Sequence, residues 1–198
     1  MQKKAIHFLK KVMTKIDHPL FPVILALLSA IDHFILIIPS DGILITSIFI
    51  RKKKWPRNAL SISLGSTLGA ILLVFLVHHY GLEEIILHFP KITHSSIWPY
   101  SQKLLTDYGL WGLFFMMLSP FMQQPMLLLI GLTNHPLKVI LVVILAGKSL
   151  KYILISWCAS KFPEVIRKSK LLGAEIDEVL DLMGEKKEER NLRDPLKD

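Results

Sequence analysis

Cysteine is almost missing from this chain. Cys158 stands alone, so neither an internal disulfide nor a cysteine-based metal site can form. The histidines do not fill the gap. His78, His79, His88 and His94 lack the spacing of a ligand set, and no metal centre or cofactor is expected. Catalytic signatures are missing as well. There is no Gly-x-Ser-Gly nucleophile with a partnering histidine and no Asp-rich motif of a lipid phosphotransferase, so an intramembrane enzyme is disfavoured. Charge is missing from long stretches, and residues 79–107 hold only two basic side chains, Lys91 and Lys103.

Apolar sequence occupies the uncharged stretches. Hydrophobic residues make up 52% of the 198 residues, and four runs carry the excess: 19–50, 59–77, 108–131 and 136–158. A helix needs about 20 residues to span the hydrocarbon core of a bilayer. The second and fourth runs fit one crossing each. The first is too long for one straight crossing, and both the first and the third are broken. The first holds Asp32 and the break Pro39-Ser40-Asp41; the third holds Ser119-Pro120-Phe121-Met122-Gln123-Gln124-Pro125. A short loop with a proline (Pro56, Pro136) follows each, and then an apolar helix bearing glycines.

The net charge of +8 is not spread as a nucleic-acid surface would be. Basic residues cluster at Lys3, Lys4, Lys10, Lys11 and Lys15, at Arg51, Lys52, Lys53, Lys54 and Arg57, and at Lys161, Arg167, Lys168 and Lys170. Clusters that flank apolar runs follow the positive-inside rule. The second cluster is also suited to touching anionic lipid. A cleaved signal peptide over the first 30 residues is disfavoured by the long basic region and by Leu28 at the −3 position.

If the three clusters share the cytoplasmic side, segment 19–50 must enter the bilayer and return, turning near Pro39. Helix 59–77 crosses outward, and residues 78–107 lie outside. Segment 108–131 dips in and returns, turning near 120–125, and helix 136–158 crosses back. The spacings agree: Pro39 to Gly65 is 26 residues and Pro120 to Gly147 is 27. The expected fold is therefore all-α and integral to the membrane, an inverted-topology repeat of a re-entrant helical hairpin plus a transmembrane helix. The expected organisation is a basic cytoplasmic segment 1–18, a membrane domain 19–158 and a charged cytoplasmic tail 159–198. A six-helix bundle without a repeat is the alternative.

An acid at the bilayer centre costs on the order of 2.5–3.5 kcal/mol on the insertion scale, so Asp32 needs a compensating partner or cavity. Asp41 sits at the break, where it can serve as a helix cap or as part of a site. Lys148 and Lys151 are three apart on the last crossing helix and share a face. Snorkelling is the plainer account of Lys151. Two acids and two cations most simply share one cavity, and a lysine pair suits a phosphate headgroup as point charges. Gln123 and Gln124 either line that cavity or satisfy backbone freed at the break. Pro39, Ser40, Pro120 and Pro125 mark the breaks. Gly65 and Gly69 form a small-residue packing face, and Gly131 and Gly147 also permit close approach. Residues 171–183 have the spacing of a short amphipathic helix.

At these positions the chain resembles the DedA family, also called the VTT or SNARE-associated membrane family, in its short YqaA-like branch. The resemblance rests on Asp32 followed by Ile37-Ile38-Pro39-Ser40-Asp41, on Gly65-Ser66-Thr67-Leu68-Gly69, on Tyr108-Gly109-Leu110-Trp111 with the break 120–125 and Gly131, and on Gly147-Lys148-Ser149-Leu150-Lys151-Tyr152. It covers roughly residues 20–158. Both family arginines are lysines here, the usual Glu is Asp32, and two turn prolines are Ile37 and Ser40. Charge sign is kept and bidentate phosphate recognition is not. The resemblance implies a bacterial plasma-membrane protein that moves a lipid phosphate, either a polyprenyl-phosphate or a phospholipid, as a flippase or scramblase. Proton coupling and homo-oligomers are left open. A non-transporting scaffold or assembly factor is the alternative function.

Overall fold

The computed structural model describes residues 18–34, 40–81, 83–84 and 95–162. The expectations for the basic start, for the turn at Pro39, for His88 and His94, and for nearly all of the C-terminal tail lie outside these residues. Among the described residues the chain is all-helical. It contains α1 (Phe21–Asp32), α2 (Ser40–Ile50), α3 (Trp55–Tyr80), α4 (Ile97–Tyr108), α5 (Leu110–Leu118), α6 (Gln124–Gly131) and α7 (Leu137–Lys161), with a single 3-10 turn over Lys52–Lys54 before α3.

Proline sets several of the helix starts. Pro22, Pro56 and Pro125 each stand in the first turn of their helix, where a missing N–H costs nothing and the fixed φ favours helix. Pro136 caps α7 from outside. Pro56 therefore opens the first long helix, and α3 begins before the apolar run that announces it. Helix α4 falls within residues 78–107, to which the charge pattern assigned a side and no helix; Ile97–Tyr108 form a helix that packs on α5 and α6. Ile97, Trp98, Leu104 and Leu105 supply its inner stripe at helical spacing, while Tyr100 and Tyr108 are exposed. Gly109, at φ +54, makes the corner into α5. At Gly112 a side chain would run into the Leu104 backbone.

Two helices form the spine. The stretch Lys52–Tyr80 and α7 are each long and apolar enough to cross a membrane. They pack along each other. The shorter helices then divide between them in a regular way. The first limb of each broken segment lies on the long helix that follows it, α1 on α3 and α5 on α7. The second limb lies mainly on the other long helix, α2 on α7 and α6 on α3.

Glycine permits these close approaches. A Cβ at Gly65 or Gly69 would collide with the backbone of Ala26 or Ala30 in α1. A Cβ at Gly147 would meet Met117 and Phe114 of α5, and one at Gly131 would meet Val77 of α3. One apolar cluster, around Leu25, Ile43, Ile48 and Ile62, joins α1, α2, α3 and α7. A second, around Val74, Leu113, Met117, Leu127 and Ile144, joins α3, α5, α6 and α7.

The long helices are apolar outward, and polar side chains are set into their largely apolar inner faces. On α3 the buried face carries Ser63, Ser66 and Thr67, while Leu60, Leu64, Leu68, Leu72 and Phe75 are exposed, Leu68 at 64%. On α7 the buried face carries Lys148, Lys151 and Ser156, while Val139, Val142, Ile153, Leu154 and Trp157 face out. Helix α1 also exposes apolar side chains, Val23, Leu27 and Ile31, while burying Phe21, Leu25, Leu28 and Ser29. Rows of exposed large apolar side chains of this extent are what water disfavours.

Candidate functional site

The site forms where α1, α2, α3 and α7 converge. It begins at the first break. Ser40 Oγ donates to Asp32 Oδ2 at 3.0 Å, so the end of α1 and the start of α2 are fastened together across residues 33–39. Asp41, in the first turn of α2, is buried and receives Lys151 Nζ on Oδ2 at 2.7 Å. Lys151 is only 6% exposed, so its ammonium turns inward to a carboxylate rather than outward along a snorkelling path. It also stands over the Tyr152 ring, 5.1 Å from its centroid.

One turn along α7, Lys148 is 1% exposed and reaches across the bundle. Its Nζ donates to Ser66 Oγ on α3 and to His33 Nε2, 2.8 Å away, at the end of α1. His33 Nδ1 donates to Ser29 O at 3.1 Å. Tyr152 OH donates to the same Ser66 hydroxyl at 3.4 Å. Asp32 is within electrostatic reach of Asp41, Lys148 and Lys151. The two carboxylates and two ammonium groups thus lie in one neighbourhood, and only Asp41 and Lys151 touch.

The surrounding polar contacts hold the helices in register. Ser63 Oγ and Ser149 Oγ lie 2.9 Å apart between α3 and α7, and Ser29 Oγ donates to Ile62 O at 3.4 Å between α1 and α3. Asn58 Nδ2 donates to Ser47 Oγ at 3.1 Å, and Ser47 donates in turn to Leu44 O at 2.6 Å.

The second break is built differently. No charge sits there. Gln123 Nε2 donates to Met117 O at 3.0 Å and Ser119 O at 3.2 Å, with Met116 O at 3.4 Å, and Ser119 Oγ donates to Met116 O at 2.8 Å. These bonds satisfy the carbonyls left open where α5 stops, as a helix end withdrawn from water requires. Gln123 therefore does local work. Gln124 is buried beside it, and its Oε1 has no partner.

No family model, curated protein or solved structure matches the chain. Its geometry is left to carry the functional reading. The histidine at the centre, His33, was in plain view beside Asp32 in the sequence and drew no role. An ionisable side chain within an apolar run was the available signal. Ser66 lay inside a motif read for packing, and Tyr152 closed the Gly147–Tyr152 element that carries the family resemblance. Among the described residues, no group of three His, Cys, Asp or Glu side chains could hold a metal ion.

The arrangement can do two things chemically. It presents ammonium groups inside an apolar shell, where an anion would be strongly held. It also offers exchangeable donors and acceptors on three helices, so that a shift of α1 or α2 against α7 would redistribute charge without unfolding either.

Proposed function

We propose that this chain is a multi-pass membrane protein built as two inverted repeats of a re-entrant hairpin and a crossing helix. It moves a lipid phosphate headgroup between leaflets as a flippase or scramblase. The observation that carries the reading is a set of buried ionisable groups, His33, Asp41, Lys148 and Lys151, joined by buried serines within an otherwise apolar interior, beneath rows of exposed leucine, valine and phenylalanine. Lipid tails are as apolar as that exterior, and ionisable groups inside a membrane bundle mark transport paths far more often than structure.

Two features support the repeat. Each hairpin sends its first limb to its own long helix and its second limb to the other. Gly65 and Gly147, matched by their spacing from Pro39 and Pro120, each receive the first limb of their own half. The DedA-like residues Asp32, Asp41, Lys148 and Lys151 fall together at the point where the halves meet.

In this reading Lys148 and Lys151 attract the phosphate, and the carboxylates balance them when it is absent. Tails remain in lipid while the headgroup crosses the polar interior. The plasma membrane is its place, with the clusters around Lys53 and Lys161 both facing the cytoplasm.

The test is a reconstituted assay with a panel of labelled lipid phosphates. K148M and D32N proteoliposomes should insert as the parent does and lose headgroup movement. Parental rates in both variants would end the transport reading. One observation favours a second reading, a scaffold. Lys148 and Lys151 are nearly sealed from solvent and already partnered within the chain. A scaffold predicts that the parent itself moves none of the panel.

A further inference from the structure

The two buried lysines are answered in different ways. Lys151 has a carboxylate. Lys148 has His33 Nε2 and the Ser66 hydroxyl. An ammonium nitrogen can only donate, so Nε2 must be the bare, accepting ring nitrogen. Ser29 O can only accept, so Nδ1 carries the proton. Two fixed neighbours thus select one neutral tautomer of His33, and that tautomer is what holds Lys148 in place.

A second proton would reverse the contact. Imidazolium donates from both nitrogens and offers no lone pair. Nε2 and Nζ would then be two donors, both cationic, at 2.8 Å. The geometry points to His33 as a proton-operated latch: bare, it holds Lys148 between α1, α3 and α7, and protonated, it releases the ammonium toward an anionic headgroup. The step forms one N–H bond at Nε2 with a proton from hydronium, leaves water behind and changes no other bond. The ionisable groups around the pair are Asp32 on α1, Asp41 on α2, and Lys151 and Tyr152 on α7; α3 contributes the non-titrating Ser66.

The latch explains why Lys148 is sealed in this arrangement, at 1% exposure, although a headgroup must reach it. It rests on the headgroup role proposed for Lys148. His33 acts through Lys148 and is a positioning residue. H33Q separates holding from release, because the Gln amide can accept from Lys148 and donate to Ser29 O yet cannot become cationic over the working pH range.

Two measurements test the latch on the full-length protein in liposomes. The first is nitrogen NMR of labelled histidine, with H33Q assigning the His33 signals, between about pH 8 and pH 5. Near pH 8 it should show Nδ1–H with bare Nε2. On acidification Nε2 should gain a proton and the Lys148 Nζ contact should vanish. The opposite tautomer, an imidazolium near pH 8, no protonation down to pH 5, or a contact that survives protonation would each overturn the latch. The second is headgroup exchange across the same range. The parent should accelerate severalfold as pH falls, and H33Q should be flat. A parental pH response in H33Q would also overturn it. If the parent moves no lipid while the NMR transition occurs as described, the transport reading fails and the latch stands as a property of the fold.

Discussion

Asp41 Oδ2 and Lys151 Nζ lie 2.7 Å apart and bind the first turn of α2 to α7, the long helix on which α2 mainly packs. Both side chains are largely withdrawn from solvent. Removing one partner would leave the other charge buried without compensation, which costs about 3–5 kcal/mol for a fully buried pair. D41N and K151M should each lower thermal stability in detergent by an amount near the lower end of that range. The double variant D41N/K151M should recover much of the loss, because no charge is then stranded. A double-mutant cycle reads the coupling directly, and additive losses would show that the pair contributes nothing as a pair.

The contact of α1 with α3 depends on two missing side chains. A Cβ at Gly65 would overlap the Ala26 carbonyl and one at Gly69 the Ala30 carbonyl, and backbone has no rotamer with which to yield. G65A should therefore force α1 outward at a cost of about 1–3 kcal/mol or more. It should also loosen Lys148, since His33 arrives on the same helix. Loss of folded yield, read by size-exclusion monodispersity, should be larger for G65A than for S63A, whose Oγ only meets Ser149 Oγ.

The sequence exposed what lipid makes expensive and concealed what tertiary packing decides. Asp32, Asp41, Lys148 and Lys151 stood out because ionisable groups in apolar runs need an explanation, and they fall in one neighbourhood. The break at 119–123 was legible from its prolines, since helix cannot run through them. The pairings were not legible. Nothing in a linear pattern says that Asp41 takes Lys151 while Lys148 takes His33, because the choice follows from how far α1 slides along α3. Helix α4 was open to reading from Ile97, Trp98, Leu104 and Leu105 at helical spacing, but residues 78–107 were read by charge rather than by period. Gln123 and Gln124 were indistinguishable on paper, and only the end of α5 tells them apart.

That difference is measurable. Gln123 answers carbonyls of α5, so Q123A should cost about 1–3 kcal/mol by orphaning buried acceptors. Q123E should not rescue it, because an ionised carboxylate has no proton to donate. Gln124 keeps a buried Oε1 without a partner, so Q124M should leave melting temperature nearly unchanged or raise it. If Q124M melts like the parent and still slows headgroup exchange, Gln124 faces the moving headgroup. If neither changes, it is packing material.

The orientation proposed from the charge clusters is the strictest constraint on the proposed architecture. Lys53 precedes α3 and Lys161 ends α7. If α3 crosses outward and α7 crosses back, these two residues share one side of the bilayer, while His79 at the end of α3 and Asn134 before α7 share the other. Single cysteines at these four positions, introduced in a C158S background, test this with a membrane-impermeant thiol reagent applied to sealed cells and to inverted vesicles. K53C and K161C should react from the vesicle side, and H79C and N134C from the cell exterior. Reaction of K53C and K161C from opposite sides would remove the inverted repeat. It would then leave the Asp41–Lys151 contact without a midplane to occupy.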